Sequence, residues 1–232
     1  MDLRELRRMA AREGISLNYI AKDEKVSEAL KQLEGHNELI LKGGTAINRS
    51  YLKNKRFSED IDLDIISKNP LKRADSIARS LRGFEVSGPR KMGNILRYDL
   101  YYINPLEHRD RIMLEFRPVG KALPFEKRIV SFGFVPHEPA LLNVYSLGEL
   151  IRMKSLCITS RSEGKDFFDL YYLLDLPHKH IRLDKRAVLD GIERAFEEVK
   201  SLGNATNHYI PKDSRPMWEA LLEELKGKVD AY

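Results

Sequence analysis

Residues 39–66 read LILKGGTAINRSYLKNKRFSEDIDLDII, and this stretch decides the fold. An apolar run of strand character, opening at Leu39, enters a double glycine at Gly43 and Gly44. From Thr45 the pattern of apolar and polar turns predicts a short helix. A second strand follows, with Asp60, Asp62 and Asp64 at alternate positions. Their carboxylates share one face, while Ile61, Leu63 and Ile65 point the other way. Three acids on one face repel each other, and a divalent cation held by oxygen ligands relieves that repulsion. The glycines let the backbone turn tightly and approach a ligand, and amides at a helix start suit a phosphate. Metal-binding acids beside a phosphate-cradling turn imply a nucleotide.

Working outward, the 232-residue chain has room for one large domain or two small ones. A single cysteine excludes an intramolecular disulfide, and no apolar stretch reaches membrane-spanning length. These features predict a soluble cytoplasmic protein with no membrane partner. The formal charge of +5, from 40 basic and 35 acidic residues, permits a polyanionic partner without requiring one. A P-loop is excluded because no GxxxxGK[ST] string occurs, and the six histidines are too dispersed for a histidine metal site.

Before the deciding stretch, the periodicity predicts helices over 3–13 and 20–33. After it, a helix is expected over 71–81 and strands over 84–86, 95–103 and 111–117, the last two forming a hairpin. Gly88-Pro89 reads as a turn. In the strand 111–117, Glu115 lies on the polar face. A neighbouring position would bring it to Asp60 and Asp62 as a third carboxylate for two-metal phosphoryl chemistry, and a solvated glutamate explains it equally well. Asp99, on the preceding strand, is its rival. A further strand is expected over 130–135. Pro136 and Pro139 mark the candidate domain boundary, which gives domains 1–138 and 139–232.

From Leu147 the pattern turns helical, with helices around Leu150 and Ile151 and around Phe167 to Leu174. Asp184 caps a third through Val199, and Pro216 starts a fourth with Trp218, Leu221, Leu222 and Leu225 inward. Residues 201–214 read as a loop. Lys154, Arg161, Lys165, Asp166 and Asp169 form a dense charged set at the edge of the buried face. Both a salt-bridged helix pair and a triphosphate clamp account for it.

Two groups of residues, in this order, resemble the AbiEii/AbiGii toxin family of the DNA polymerase beta-like nucleotidyltransferase superfamily. The first is Lys42-Gly43-Gly44-Thr45-Ala46 followed by Arg56-Phe57-Ser58-Glu59-Asp60-Ile61-Asp62-Leu63, which matches a GG or GS turn and then R-x-S-x-D-x-D. The second is Lys154, Arg161 and Lys165-Asp166-Phe167-Phe168-Asp169-Leu170-Tyr171, which is similar to K…R…(R/K)-D-x-x-D-L-Y. Two separated motifs in order are more specific than either alone.

The resemblance implies an α+β nucleotidyltransferase fold, a mixed β-sheet flanked by helices, with a C-terminal helical domain closing the active-site cleft. It implies that Gly43, Gly44, Thr45 and Lys154 contact the triphosphate and that Asp60 and Asp62 bind Mg²⁺. Asp166 is expected on the acceptor side, positioning or deprotonating the attacking group. Arg56 and Ser58 shape the turn before the metal strand, and Arg161, Lys165 and Asp169 order the helix pair. The activity implied is nucleotidyl transfer from a nucleoside triphosphate to an acceptor hydroxyl. The tRNA acceptor end is one candidate, with a separately encoded antitoxin as partner. A small-molecule or protein acceptor, or a degenerate nucleotide-binding protein, is the alternative. Spacing alone permits Asp62-Asp64 as the metal pair, and the Arg-Phe-Ser-Glu register favours Asp60-Asp62.

Overall fold

In the computed structural model, which describes residues 2–178 and 181–232, two capped helices lead into the deciding stretch. Asp2 caps α1 (Leu3–Glu13) by accepting from the Glu5 amide, and Gly14 ends it in the left-handed conformation. Ser16 caps α2 (Leu17–Gln32) through the Tyr19 amide, so this helix starts a turn earlier than the Ile20 predicted. Then come β1 (Leu39–Lys42), α3 (Gly43–Ser50), β2 (Ile61–Ile65), α4 (Pro70–Ser80), β3 (Glu85–Met92), β4 (Ile95–Ile103), β5 (Arg109–Pro118), β6 (Phe125–Val130) and β7 (Ala140–Tyr145).

The strands form one seven-stranded mixed sheet in the order β3-β4-β5-β2-β1-β7-β6. β1 is antiparallel to β2 and parallel to β7, while β2 is parallel to β5. Alternation along the strands sorts the side chains by face. Leu41, Leu63, Leu114, Phe116, Tyr98, Leu142 and Val144 are buried in register with one another. The opposite face carries Lys42, Asp62, Asp64, Glu115, Arg117 and Arg97. The polar side chains of the deciding stretch are thus gathered on one surface by a register that the apolar side chains fix.

β3 runs straight through the predicted turn at Gly88-Pro89, because a register shift between Ser87 and Arg90 absorbs it. Gly88 sits there at φ +117, and a side chain would press 2.8 Å from the Arg97 carbonyl oxygen. The strand predicted over 130–135 lies earlier, as β6, and β7 follows Pro139 where no strand was expected. Two compact units divide after β7, Met1–Tyr145 and Ser146–Tyr232. The prolines mark a loop inside the first unit, and the chain's division falls later than 138/139.

The second unit is helical: α5 (Leu147–Ser160), α6 (Gly164–Leu173), α7 (Lys185–Glu197), α8 (Val199–Thr206) and α9 (Trp218–Ala231). α8 occupies part of the segment read as a loop. Trp218, Leu221, Leu222 and Leu225 are buried along α9, the stripe expected from their spacing. α5 packs on α6 and α7, and α9 on α6, α7 and α8. Gly191 permits the α5–α7 approach, since a side chain there would lie 2.5 Å from the Ile158 carbonyl oxygen. Among the described residues no helix is long and apolar enough to cross a membrane. The architecture is α+β, a mixed sheet flanked by helices with a C-terminal helical region.

A buried ion pair fixes α3 in the first unit. Arg49 donates to the Asp23 carboxylate at 2.7 Å and to the Ser27 hydroxyl at 2.7 Å, linking α3 to α2. The other Asp23 oxygen accepts from the Val135 amide at 2.9 Å. Gly133 is part of the same joint, because a side chain there would collide with that carboxylate. Arg49→Met leaves a buried carboxylate without its cation, and we expect a loss of about 3–5 kcal/mol. Urea unfolding measures it; a loss under about 1 kcal/mol, the scale of an exposed pair, would refute the anchoring role.

Candidate active site

The turn from β1 into α3 is built around Gly43. Its φ of +70 is a conformation that residues with side chains avoid. A side chain there would also collide with the Asp62 carboxylate, which lies directly over the start of α3. Gly44 is restricted from the other direction, since a side chain would stand 2.6 Å from an Arg56 guanidinium nitrogen and 2.7 Å from the Ser58 hydroxyl. The double glycine and the R-x-S-x-D-x-D segment are therefore two sides of one contact.

Other bonds lock that contact. Thr45 is fully buried, and its hydroxyl donates to the Asp60 carbonyl. With its hydroxyl so committed, Thr45 keeps its backbone amide, in the first turn of α3, where amides lack intrahelical acceptors. Asn48 donates to the Gly44 carbonyl at 3.1 Å and accepts from the Arg56 amide at 3.2 Å. Arg56, itself buried, donates to the Phe57 carbonyl at 2.8 Å. These bonds hold the segment that delivers Asp60 and Asp62.

Asp64 shares the face of Asp62 but has a different environment. Its side chain has 0% exposure and receives Arg117 at 2.8 and 2.6 Å, Tyr145 at 2.5 Å and Lys42 at 2.7 Å. Burial by itself would raise its pKa, but hydrogen bonds from Arg117, Lys42 and Tyr145 outweigh that and hold the carboxyl below the usual range. Buried against Asp64, the Tyr145 hydroxyl is pushed up well above its ordinary value. An acid with both oxygens committed to protein cations is a poor ligand for a metal. Asp60 and Asp62 are both partly exposed, the Asp62 carboxylate lying over Gly43 and the Asp60 carbonyl bonded to Thr45, with one Asp60 carboxylate oxygen buried.

Glu115 stands directly beside Asp62 in the parallel β2–β5 register. Its carboxylate, however, is taken by Arg97 on the adjacent β4, at 2.7 and 2.5 Å. Among the described residues no three His, Cys, Asp or Glu side chains converge to hold a metal. Glu115 is here bonded to Arg97 and is not gathered into a group of three with Asp60 and Asp62. Asp99, the rival, lies two strands from β2 and is paired with Arg90 at 2.5 Å and Arg111 at 3.3 Å.

In the second unit, Lys154 is 7% exposed and contacts Asp166 at 2.6 Å and Asp169 at 2.9 Å. Arg161 donates to Asp166 at 2.8 and 3.3 Å. Burial would raise the Asp166 carboxyl, but Lys154 and Arg161 prevail and hold it below its ordinary value. A carboxylate so held is a weak proton acceptor, which favours a positioning role over deprotonation. Lys165 points elsewhere, toward Glu163 at 3.8 Å and the Tyr209 ring. Sequence reasoning passed over Arg97, Arg117 and Tyr145. Arg97 and Arg117 share strand phase with the acids, but only the register shows that they meet.

A glycine turn opening a helix against two alternate acids, on a mixed sheet flanked by helices with a helical C-terminal region, is the arrangement of the nucleotidyltransferase fold. The family model described as nucleotidyl transferase AbiEii toxin, type IV toxin–antitoxin system, matches residues 27–231, and the chain belongs to that family. Among solved structures, JHP933 from Helicobacter pylori is 16% identical with a TM-score of 0.62, covering 94% of this chain and 92% of that one. A second H. pylori protein is 18% identical with a TM-score of 0.65, covering 94% and 95%. MenT4, a nucleotidyltransferase toxin from Mycobacterium tuberculosis H37Rv, is 18% identical with a TM-score of 0.60, covering 98% and 90%. At these identities the likeness is one of fold. No curated protein matches the chain.

Two outcomes follow from the geometry. Gly43→Ala combines an unfavourable backbone conformation with displacement of Asp62, and thermal unfolding should register a loss of about 1–3 kcal/mol; an unchanged midpoint would contradict the contact. The depressed Asp64 carboxyl contributes stability that is present above about pH 4 and is lost as pH falls below it. Asp64→Asn should therefore flatten the acid limb of the stability profile measured by urea unfolding. An acid limb as steep as the wild type's would assign it to other groups.

Proposed function

We propose that this chain transfers a nucleotidyl group from a nucleoside triphosphate to an acceptor hydroxyl, with Mg²⁺ as cofactor. The observation that carries the reading is the packing of the Asp62 carboxylate over Gly43. It puts a hard oxygen donor against a helix start able to receive phosphate. The residues fit the ion: Asp60 and Asp62 would hold it, since Asp64 is committed to Arg117, Lys42 and Tyr145.

The amides of Gly43, Gly44 and Thr45 would receive the phosphates. Within the second unit, Asp166 and Asp169 fix the position of Lys154 as a point charge of the kind that suits a phosphate. When bound, Mg²⁺ supplies Lewis-acid polarisation of the α-phosphate and neutralises charge on the leaving group. The acceptor oxygen attacks the α-phosphorus in line, the bond to the bridging oxygen of the β-phosphate breaks, and pyrophosphate leaves with that electron pair. The hydroxyl proton passes to solvent or to a nearby acceptor.

Family membership supports the toxin role, a separately encoded antitoxin as partner, and the tRNA acceptor end as the first acceptor to test. The net charge of +5 accords with an RNA substrate. A cytoplasmic site of action accords with that substrate.

The purified protein should label total RNA from at least one radiolabelled nucleoside triphosphate with Mg²⁺, and the label should localise to tRNA 3′ ends. Asp62→Ala should reduce transfer by about a thousandfold, the rate equivalent of about 4 kcal/mol of electrostatic stabilisation. Undiminished transfer by Asp62→Ala would refute the metal assignment. Label appearing only in protein or small molecules would replace the RNA acceptor.

A further inference from the structure

The row of charges across the sheet identifies a residue that no motif includes. Lys42 is opposite Asp62, Asp62 is beside Glu115, and Glu115 is opposite Arg97, so four strands place two adjacent carboxylates between two cations on one line. Both bonds from Arg97, through Nε and Nη2, fall on one oxygen of Glu115, Oε1. Neither Oε2 of Glu115 nor Nη1 of Arg97 makes a further hydrogen bond among the described residues. The pair is partly shielded, with side-chain exposures of 27% for Arg97 and 15% for Glu115.

We propose that Arg97 is a positioning residue for metal binding: it occupies Glu115, the third carboxylate, and yields it when a divalent cation binds at Asp60 and Asp62. This rests on the reading of those two acids as metal ligands. Adjacent carboxylates at Asp62 and Glu115 repel one another, and a guanidinium on the far side of Glu115 relieves the repulsion without a metal. A cation held by Asp60 and Asp62 would offer Glu115 a second positive partner. Transfer of the carboxylate then exchanges one counter-ion for another rather than exposing an unpaired charge, which keeps the exchange inexpensive. The guanidinium so freed would offer a planar donor set, which suits a phosphate group.

The alternative is a purely structural cross-strand pair, which would steady β4 on β5 and leave metal binding unaffected. Mn²⁺ binding, followed by loss of the free-ion electron paramagnetic resonance signal, separates the two. The proteins compared are the wild type, Arg97→Met, Glu115→Gln and the double variant, with Arg97→Gln as a second replacement should Arg97→Met fold poorly. Removing Arg97 should tighten Mn²⁺ binding by about tenfold, and Glu115→Gln should weaken it by a similar factor. In the Glu115→Gln background, loss of Arg97 should have no effect. Thermal unfolding adds a second readout: Mn²⁺ should raise the midpoint of Arg97→Met by more than that of the wild type.

Unchanged or weaker Mn²⁺ binding in Arg97→Met and Arg97→Gln would overturn the proposal. Asp62→Ala identifies which inference has failed. If it abolishes Mn²⁺ binding while the Arg97 variants match the wild type, only the role of Arg97 falls. If it binds Mn²⁺ like the wild type, the metal site at Asp60 and Asp62 falls and the role of Arg97 with it.

Discussion

A hydrogen atom where other residues carry a side chain lets the Asp62 carboxylate rest on the start of α3, and much of the first unit serves that contact. α3 must start where β1 ends, so the Asp23–Arg49 pair fastens it to α2 and to the loop before β7. The segment before β2 must descend onto Gly44, so Arg56 and Asn48 are tied to it by hydrogen bonds. Thr45 joins helix to strand through the Asp60 carbonyl. These bonds constrain a chain that would otherwise move two carboxylates apart.

The same carboxylates create an electrostatic problem that the sheet resolves in a graded way. Asp64 is neutralised permanently, by three partners and complete burial. Glu115 is neutralised by a single partly exposed arginine. Asp60 and Asp62 are partly exposed. In the second unit, Lys154 and Arg161 against Asp166 and Asp169 form a compensated set of the same kind, oriented by burial.

Much of this could be read from the chain. The glycines, the alternate acids and the ordered K…R…KD..D residues are local signals, and they gave the fold and the family. What was hidden depended on register. Nothing in the spacing of Arg97, Glu115 and Asp62 says that they form a row across three strands, and Tyr145 lies far along the chain from the Asp64 it contacts. β7 was missed because Pro139 stands immediately before it and suggested an end rather than a beginning. The bulge at Gly88 concealed the length of β3 for a similar reason, since a glycine-proline pair marks a turn more often than a strand interior.

The position of β7 also has a consequence in time. β1 lies near the centre of the sheet, yet its neighbour on one side is made about a hundred residues after it. During synthesis β1 and β2 can pair early, but the Tyr145 hydroxyl is the last of the groups on Asp64 to emerge. The charged face thus begins its existence with one acid incompletely satisfied and acquires its final polarity only when β7 is added.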